Sequence, residues 1–278
     1  YEAWGPMVDQ MIAAGLKTGF GDDWIRLGAT AEHTADGSFS ERTMALSTPY
    51  AGRTPPYYGN VTEPQDVLDA WVEKVVRAGI QPNIHANGDV AIDMALTAFE
   101  RAQAKLAVKD LRPKITHCTL VNPGLLKRMA VLGAVPAPFT SYAYYNSDKF
   151  GFYGAERMAN AMAFRDFLDH GIKVCAGSDF FPGPFAPLMG IQGMVTRTGW
   201  NGETWGANQR VSVLEAIRIN SLHGAWAAKE EAIKGSLTAG KLADYVVLAE
   251  DPTQVKPDHI KDIAIIETVV DGRSQYRA

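Results

Sequence analysis

The chain has 278 residues, of which 46% are hydrophobic and 21% charged, and its formal net charge is −4. This composition is ordinary for a globular protein and excludes the disordered, collagen-like and disulfide-scaffold classes. The charge balance lacks the basic excess typical of nucleic-acid-binding proteins, and no apolar run reaches the roughly 20 residues of a membrane helix. We therefore expect neither nucleic acid nor a membrane as a partner.

The two cysteines, Cys118 and Cys175, lie in short apolar runs that are typical of buried strands. Two such cysteines do not form a disulfide framework, and their placement is typical of a reducing compartment. The chain does not open with a basic segment followed by an apolar stretch, so no signal peptide is visible. These features predict a cytoplasmic protein.

Short apolar runs alternate with longer stretches of helical periodicity along most of the chain. Strands are predicted at 24–33, 81–85, 114–120, 133–139 and 173–179, and helices at 66–78, from 89 onward, and at 123–131, 156–170 and 211–229. In the first of these helices Leu68, Val72 and Val75 recur on one face. Strands separated by helices predict an α/β fold with a parallel sheet, formed by residues 1–234.

The alternation of strands and helices stops at a turn-rich link at 235–240, and the residues after it are strand-like. Residues 245–249 and 263–270 contain many β-branched residues and are predicted strands. Asp271-Gly272 is a hairpin-turn signal that leads into a further strand at 274–277. Residues 235–278 are therefore predicted to form a small all-β appendage.

Three polar residues lie at or near the carboxyl ends of predicted strands: His85, His117 and Asp179. Their separations of 32 and 62 residues place them on different strands, because one βα unit with its next strand takes about 30 residues. In a parallel sheet or barrel these strand ends face one mouth. Spacing alone leaves two alternatives: hydrogen-bonded structural residues, or ligands of a divalent metal, for which imidazoles and a carboxylate are suited.

Four short motifs narrow the choice. In chain order they are Ile84-His85-Ala86-Asn87-Gly88-Asp89, Ile115-Thr116-His117-Cys118, Gly177-Ser178-Asp179 and Gly235-Ser236-Leu237-Thr238-Ala239-Gly240-Lys241-Leu242-Ala243-Asp244. Together they resemble the amidohydrolase superfamily and, within it, the amidohydrolase 3 family of metal-dependent amide hydrolases. The segment Asp36-Gly37-Ser38 with Arg42-Thr43 resembles the same branch, so the resemblance runs from about residue 22 to the end.

This resemblance implies a (β/α)8 TIM barrel beside a small β-sandwich. The family opens with a strand that ends in a His-x-His pair, which this chain does not contain. The five predicted strands match the last five of eight, so we expect an incomplete barrel with part of the sandwich, the C-terminal portion of a longer protein. Unpaired sheet edges favour self-association, and a homo-oligomer is expected.

The resemblance also implies roles for individual residues. His85 and His117 become metal ligands, and Asp179 becomes a metal-associated, catalytic carboxylate that moves a proton from water to the leaving group. Many members carry a metal-bridging carboxylated Lys four residues before the Asp-Gly pair, where this chain has Glu32. Two interpretations stay open: Glu32 as a metal-bridging ligand, or as an ion-paired surface carboxylate. The expected cofactor is a divalent metal, zinc.

Other polar residues near these motifs are candidates for substrate binding. Arg42 is suited to hold a substrate carboxylate. Tyr142 and Tyr144 begin an aromatic run after the strand at 133–139, where they either line an apolar pocket or pack their own loop. In a regular strand, His33 points away from the side of Glu32.

The resemblance therefore implies a metal-dependent hydrolase that cleaves a non-peptide, amide-type C–N bond of a small-molecule substrate with metal-activated water. One alternative is a degenerate, non-catalytic barrel that acts as a binding or oligomerising module. A second alternative is an enzyme with the same site that catalyses another reaction of the superfamily, such as ester or phosphoester hydrolysis, isomerisation or decarboxylation.

Overall fold

The computed structural model describes residues 5–180 and 182–278. The chain divides into two compact units, the first containing Tyr1–Pro138 and Asn160–Ile172 and the second Phe139–Ala159 and Lys173–Ala278. The domain boundary predicted between residues 234 and 235 falls inside the second unit and stays a prediction. The first four residues of the predicted α/β domain lie outside the described residues.

The structure contains the predicted elements of the parallel sheet together with helices that the sequence analysis did not predict, at Gly5–Ala13 and Pro187–Thr196. The α-helices are α1 (Gly5–Ala13), α2 (Gln65–Arg77), α3 (Asp89–Leu106), α4 (Pro123–Leu132), α5 (Tyr142–Tyr145), α6 (Gly154–Met158), α7 (Phe164–Asp169), α8 (Pro187–Thr196), α9 (Val213–Asn220) and α10 (Leu222–Ala227). The strands are β1 (His33–Thr34), β2 (Asn83–Ala86), β3 (Lys114–His117), β4 (Val135–Ala137), β5 (Tyr245–Leu248), β6 (Ile265–Val270) and β7 (Arg273–Arg277). Short 3-10 helices lie at Ser147–Phe152, Ala207–Gln209 and Pro257–Asp262.

Strands β1 to β4 form a parallel sheet in chain order within the first unit. Helices α2, α3 and α4 supply the successive crossovers that parallel neighbours require. The sheet and helices meet in a fully buried core, to which Ile84, Ile115 and Val135 contribute from the strands. This arrangement confirms the predicted α/β class and the parallel order of these four strands.

The predicted strand at 24–33 is shorter in the structure because its first part turns. The Asp22 carboxylate accepts hydrogen bonds from the backbone N–H groups of Trp24 (2.8 Å) and Ile25 (2.9 Å). A side chain that captures nearby N–H groups in this way competes with strand pairing. Trp24 and Ile25 are exposed, and regular pairing starts only with β1, after an isolated parallel bridge from Ala29 to Gln81.

The predicted helix at 156–170 is split into α6 and α7. The backbone of Met162 is left-handed (φ 48°), and its N–H donates to the carbonyl of Thr119 at 2.7 Å. Ala161 also bridges Leu120, so these hydrogen bonds to distant residues replace helical ones. The predicted strand at 173–179 is likewise reduced to one parallel bridge, between Phe139 and Gly177.

Strands β5, β6 and β7 form an antiparallel sheet in the second unit. Asp271 and Gly272 connect β6 to β7 with positive φ at both positions (51° and 69°), as a two-residue type I′ hairpin requires. The predicted hairpin is therefore present. Among the described residues, no helix combines the length and the apolar character needed to cross a membrane.

Candidate metal centre

Three side chains of the first unit converge beside the parallel sheet: Glu32, His85 and His117. Glu32 Oε2 lies 3.4 Å from His85 Nδ1 and 3.7 Å from His117 Nε2. The two imidazole rings meet edge to face, with centroids 4.2 Å apart. One ligand atom from each residue lies within 4.8 Å of the other two. Two ligands of a tetrahedral zinc ion are about 3.4 Å apart when the bonds are 2.0–2.1 Å, so this spacing fits a metal.

The alternation of the strands explains why Glu32 and His85 meet. Thr34 is paired with His85 across β1 and β2, so both face the same side of the sheet. Glu32 stands two residues before Thr34 and shares that side. His33 faces the opposite side, where its ring stacks on Trp71 of α2 with centroids 4.1 Å apart. The orientation predicted for His33 is therefore confirmed.

His117 reaches the same side by a departure from regular strand geometry. In the β2–β3 register, Thr116 is paired with His85 and His117 with Ala86, so a regular strand would point the His117 ring away from His85. Instead, His117 has a φ of 70° and the next residue, Cys118, a φ of 42°. Two consecutive non-glycine residues in the left-handed region are strained. The left-handed backbone conformation turns the His117 ring toward Glu32.

The pKa values of the three side chains are shifted in different directions. Burial, reinforced by His85, lowers the pKa of His117 to about 3, which keeps its ring neutral and able to coordinate. Burial also lowers the pKa of His85, but Glu32 outweighs it and raises that pKa above its ordinary value. Desolvation raises the pKa of Glu32, yet the two histidines outweigh it and hold that pKa below its usual value. The site therefore contains one neutral imidazole and one carboxylate held in its anionic form, and a cation would compete with a proton for His85.

Behind His85 lies a buried carboxylate whose role the sequence did not reveal. Asp36 accepts hydrogen bonds from the backbone N–H groups of Ala45, Asn87 and Gly88 at 2.8–2.9 Å. Burial raises the pKa of Asp36 to about 6, although these N–H groups oppose the shift. In the sequence, only the pairs Asp36-Gly37 and Asn87-Gly88 pointed to this network. They do not predict it by themselves, because the hydrogen bonds join residues that are distant in the chain.

Gly88 shows how closely this network is packed. A Cβ atom at residue 88 would lie 1.8 Å from the carbonyl oxygen of Ala45, so only glycine fits there. Gly88 is also the N-cap residue of α3. Asp89 is the first helical residue, and its carboxylate accepts a hydrogen bond from the Ser47 backbone N–H at 3.0 Å.

In the second unit, the structure joins two of the predicted site residues. The hydroxyl of Tyr142 donates a hydrogen bond to Asp179 Oδ2. Asp179 has a left-handed backbone (φ 55°) and is half-buried, whereas Tyr142 is buried. This hydrogen bond orients the Asp179 carboxylate.

The remaining predicted substrate residues are more accessible. Arg42 is exposed and has a φ of 57°, in a turn where its N–H donates to the carbonyl of Phe39. Tyr144 is half-buried, and the Lys261 ammonium lies 5.7 Å from the centroid of its ring. Neither contact assigns a substrate.

The chain is similar in sequence to proteins from two bacteria. The protein YtcJ of Bacillus subtilis (strain 168) is 28% identical over 249 residues, which are 87% of this chain and 46% of that protein. N-substituted formamide deformylase of Arthrobacter pascens is 28% identical over 202 residues, 72% of this chain and 37% of the enzyme. The chain thus spans less than half the length of these relatives.

A solved structure and a family model agree with these relatives. The crystal structure of an uncharacterized metal-dependent hydrolase from Pyrococcus furiosus matches with a TM-score of 0.78 and 25% identity, covering 91% of this chain and 50% of that one. The model described as the amidohydrolase family matches residues 5–276. The chain therefore belongs to the amidohydrolase family, as its motifs predict.

Proposed function

We propose that this chain contributes a divalent-metal site to a hydrolase that cleaves a non-peptide, amide-type C–N bond. The observation that carries the proposal is the convergence of Glu32, His85 and His117, each with one ligand atom within 4.8 Å of the others. Its support is the family match over residues 5–276 and the similarity to a metal-dependent hydrolase.

Zinc is the proposed metal because two imidazoles and one carboxylate form a donor set that zinc accepts. When bound, such an ion lowers the pKa of a water molecule toward neutrality and polarises the carbonyl to be cleaved. Glu32 is proposed as the oxygen ligand, in preference to an ion-paired surface carboxylate. The support is that Glu32 Oε2 faces both histidines, at 3.4 Å from His85 Nδ1 and 3.7 Å from His117 Nε2.

Asp179 is proposed as the metal-associated, catalytic carboxylate that takes a proton from water and returns it to the leaving nitrogen. The hydroxyl of Tyr142 donates a hydrogen bond to Asp179 Oδ2 and so orients the carboxylate. An oriented carboxylate is suited to proton transfer because the proton path then has a fixed direction. Tyr142 thus becomes a positioning residue in this proposal.

The proposed substrates are N-substituted amides of small acids, in line with the deformylase relative from Arthrobacter pascens. Arg42 would hold a substrate carboxylate with its exposed guanidinium. Tyr144 would offer an aromatic surface to an apolar substituent.

The finer architecture is part of the same proposal. We assign the parallel strands β1 to β4 to a (β/α)8 barrel and the sheet of β5 to β7 to a β-sandwich. The support is the similarity to the hydrolase from Pyrococcus furiosus. Cytoplasmic location and self-association into a homo-oligomer remain proposals from the sequence.

Removing the metal is expected to abolish hydrolysis. The purified chain is incubated with N-substituted formamides that differ in their substituent, and release of formate is measured with and without a chelator. Because the water molecule needs a cation to become a nucleophile at neutral pH, the chelator should stop formate release, and added Zn²⁺ should restore it. Hydrolysis that continues in chelator contradicts the proposal. Zinc binding without hydrolysis of any substrate favours the non-catalytic binding module.

A further inference from the structure

Two exposed phenylalanines follow Asp179 in the second unit. Phe180 is 57% exposed and Phe185 is 68% exposed, yet their rings are in contact, with centroids 4.9 Å apart and planes at 85°. Single exposed apolar residues are common on protein surfaces and need no explanation. Two large rings that share one apolar surface next to a carboxylate are instead characteristic of a binding site.

The backbone restrains the segment that carries the two rings. The N–H of Gly183 donates to the carbonyl of Asp179 at 3.0 Å and closes a tight turn that contains Phe180. A Cβ atom at residue 183 would lie 2.8 Å from a backbone oxygen, so the turn requires glycine there. Phe185 directly precedes Ala186, the N-cap residue of α8. The rings are therefore pre-organised, which lowers the entropic cost of binding a ligand.

The Asp179 carboxylate is held by a second, buried aromatic pair. The hydroxyl of Tyr142 donates to Asp179 Oδ2. The Tyr142 ring meets the Phe139 ring edge to face, with centroids 5.3 Å apart, and both residues are buried. The buried pair and the exposed pair therefore adjoin the same carboxylate, one through a hydrogen bond and the other through the chain.

The proposed proton transfer brings the substrate nitrogen to this carboxylate. A group that returns a proton to the leaving nitrogen must come within about 2.6–3.2 Å of it. Adjacent Cα atoms are about 3.8 Å apart, so a substituent on that nitrogen begins close to Phe180. The acyl part extends from the other side of the cleaved bond. The exposed rings are therefore suited to contact the amine side of the amide.

The size of the exposed pair favours a small ligand over a protein partner. Two phenylalanines at these exposures present about 300 Å² of surface at most. A stable protein interface buries about 800 Å² on each partner. One ring of a small molecule, in contrast, fits the right-angled corner that the two rings form, because aromatic pairs prefer offset or edge-to-face contacts.

We propose that Phe180 and Phe185 are specificity-determining residues that bind an aromatic substituent carried by the leaving nitrogen of the substrate. The assignment of this nitrogen rests on the proposed function, whereas the affinity of the ring pair for an aromatic amine is a property of the chain itself. The substrate class is therefore amides of arylalkyl amines. Amides of small alkyl amines lack the ring and gain nothing from the pair.

The ratio of kcat/KM for N-phenethylformamide to kcat/KM for N-methylformamide measures this preference. Phe185→Ala is expected to lower the ratio about tenfold, because it weakens only the reaction of the substrate with a ring. The Phe185 ring is exposed, so its removal leaves no cavity in the core. Phe185→Tyr keeps a ring at the same position and should keep the ratio within about twofold of the wild type.

Phe20→Ala is the matched control. Phe20 is 63% exposed, which lies between the values of Phe180 and Phe185. It stands two residues after Thr18, whose N–H donates to the carbonyl of Gly79, ahead of β2. Phe20 is therefore near the amino end of the parallel sheet, opposite the strand ends that carry the candidate metal ligands. The control removes an equally exposed ring and should leave the ratio unchanged.

Binding of phenethylammonium, the amine product, tests the ring pair without any turnover. Its dissociation constant is measured by saturation-transfer NMR on the full chain, and Phe185→Ala should raise it about tenfold while Phe20→Ala leaves it unchanged. The inference is overturned if the wild type does not bind phenethylammonium, or if Phe185→Ala binds it as Phe20→Ala does. If neither formamide is hydrolysed, the proposed function fails instead, and the binding measurement still decides the role of the ring pair.

Discussion

Replacing Asp179 by asparagine is expected to lower the turnover of an accepted amide about 100- to 10,000-fold, the usual effect of removing a general acid–base group. Asparagine has the same size, and its amide oxygen still accepts the hydrogen bond from Tyr142. The variant should therefore keep its fold and most of its metal. It loses only the ability to take up and release a proton. The measurement is kcat/KM for a substrate found in the formamide panel, with metal content determined on the same samples.

Asp148→Asn is the control for this change, because Asp148 is an exposed carboxylate of the same unit and pairs with its neighbour Lys149 at 3.7 Å. Its turnover should equal that of the wild type. If Asp179→Asn turns over substrate as fast as Asp148→Asn, then Asp179 does not transfer the proton.

Replacing His85 and His117 together by alanine is expected to weaken Zn²⁺ binding by more than about 100-fold, beyond the effect of losing a supporting group. The double variant retains only Glu32 of the three converging ligands, and a single half-exposed carboxylate does not compete with water for the ion. Equilibrium dialysis against Zn²⁺ followed by elemental analysis measures the loss.

The matched control replaces two exposed histidines, His170 and His259, by alanine. It removes as many imidazoles but none from the site, so its zinc content should remain that of the wild type. Stoichiometric zinc that survives in the His85 and His117 double variant would place the metal elsewhere on the chain.

The parallel sheet was predictable because its signals are local and repeated. Apolar runs and helical periodicity predicted the order of β1 to β4. The alternation of side chains along a strand predicted that His33 and Glu32 face opposite sides of the sheet. The hairpin at Asp271-Gly272 was predictable for the same reason, since its dipeptide selects one turn type.

The parts that sequence did not reveal depend on distant contacts. The φ of 70° at His117 reverses the side to which its ring points, and strand periodicity alone predicts the opposite. The helix predicted at 156–170 is interrupted because the Met162 N–H donates a hydrogen bond to the carbonyl of Thr119, which is distant in the chain. The contacts of Asp36 likewise form only when its backbone partners come together.

The position of zinc in a crystal of the wild-type chain tests the central claim most directly. Anomalous scattering at the zinc edge is predicted to give a peak bonded to His85 Nδ1 and His117 Nε2 at about 2.0–2.1 Å and to Glu32 Oε2 at about 2.0–2.2 Å. One ligand atom of each residue already lies within 4.8 Å of the other two, so only small side-chain movements are required. A zinc peak bound at other residues, with Glu32, His85 and His117 in contact only with one another, would contradict the account.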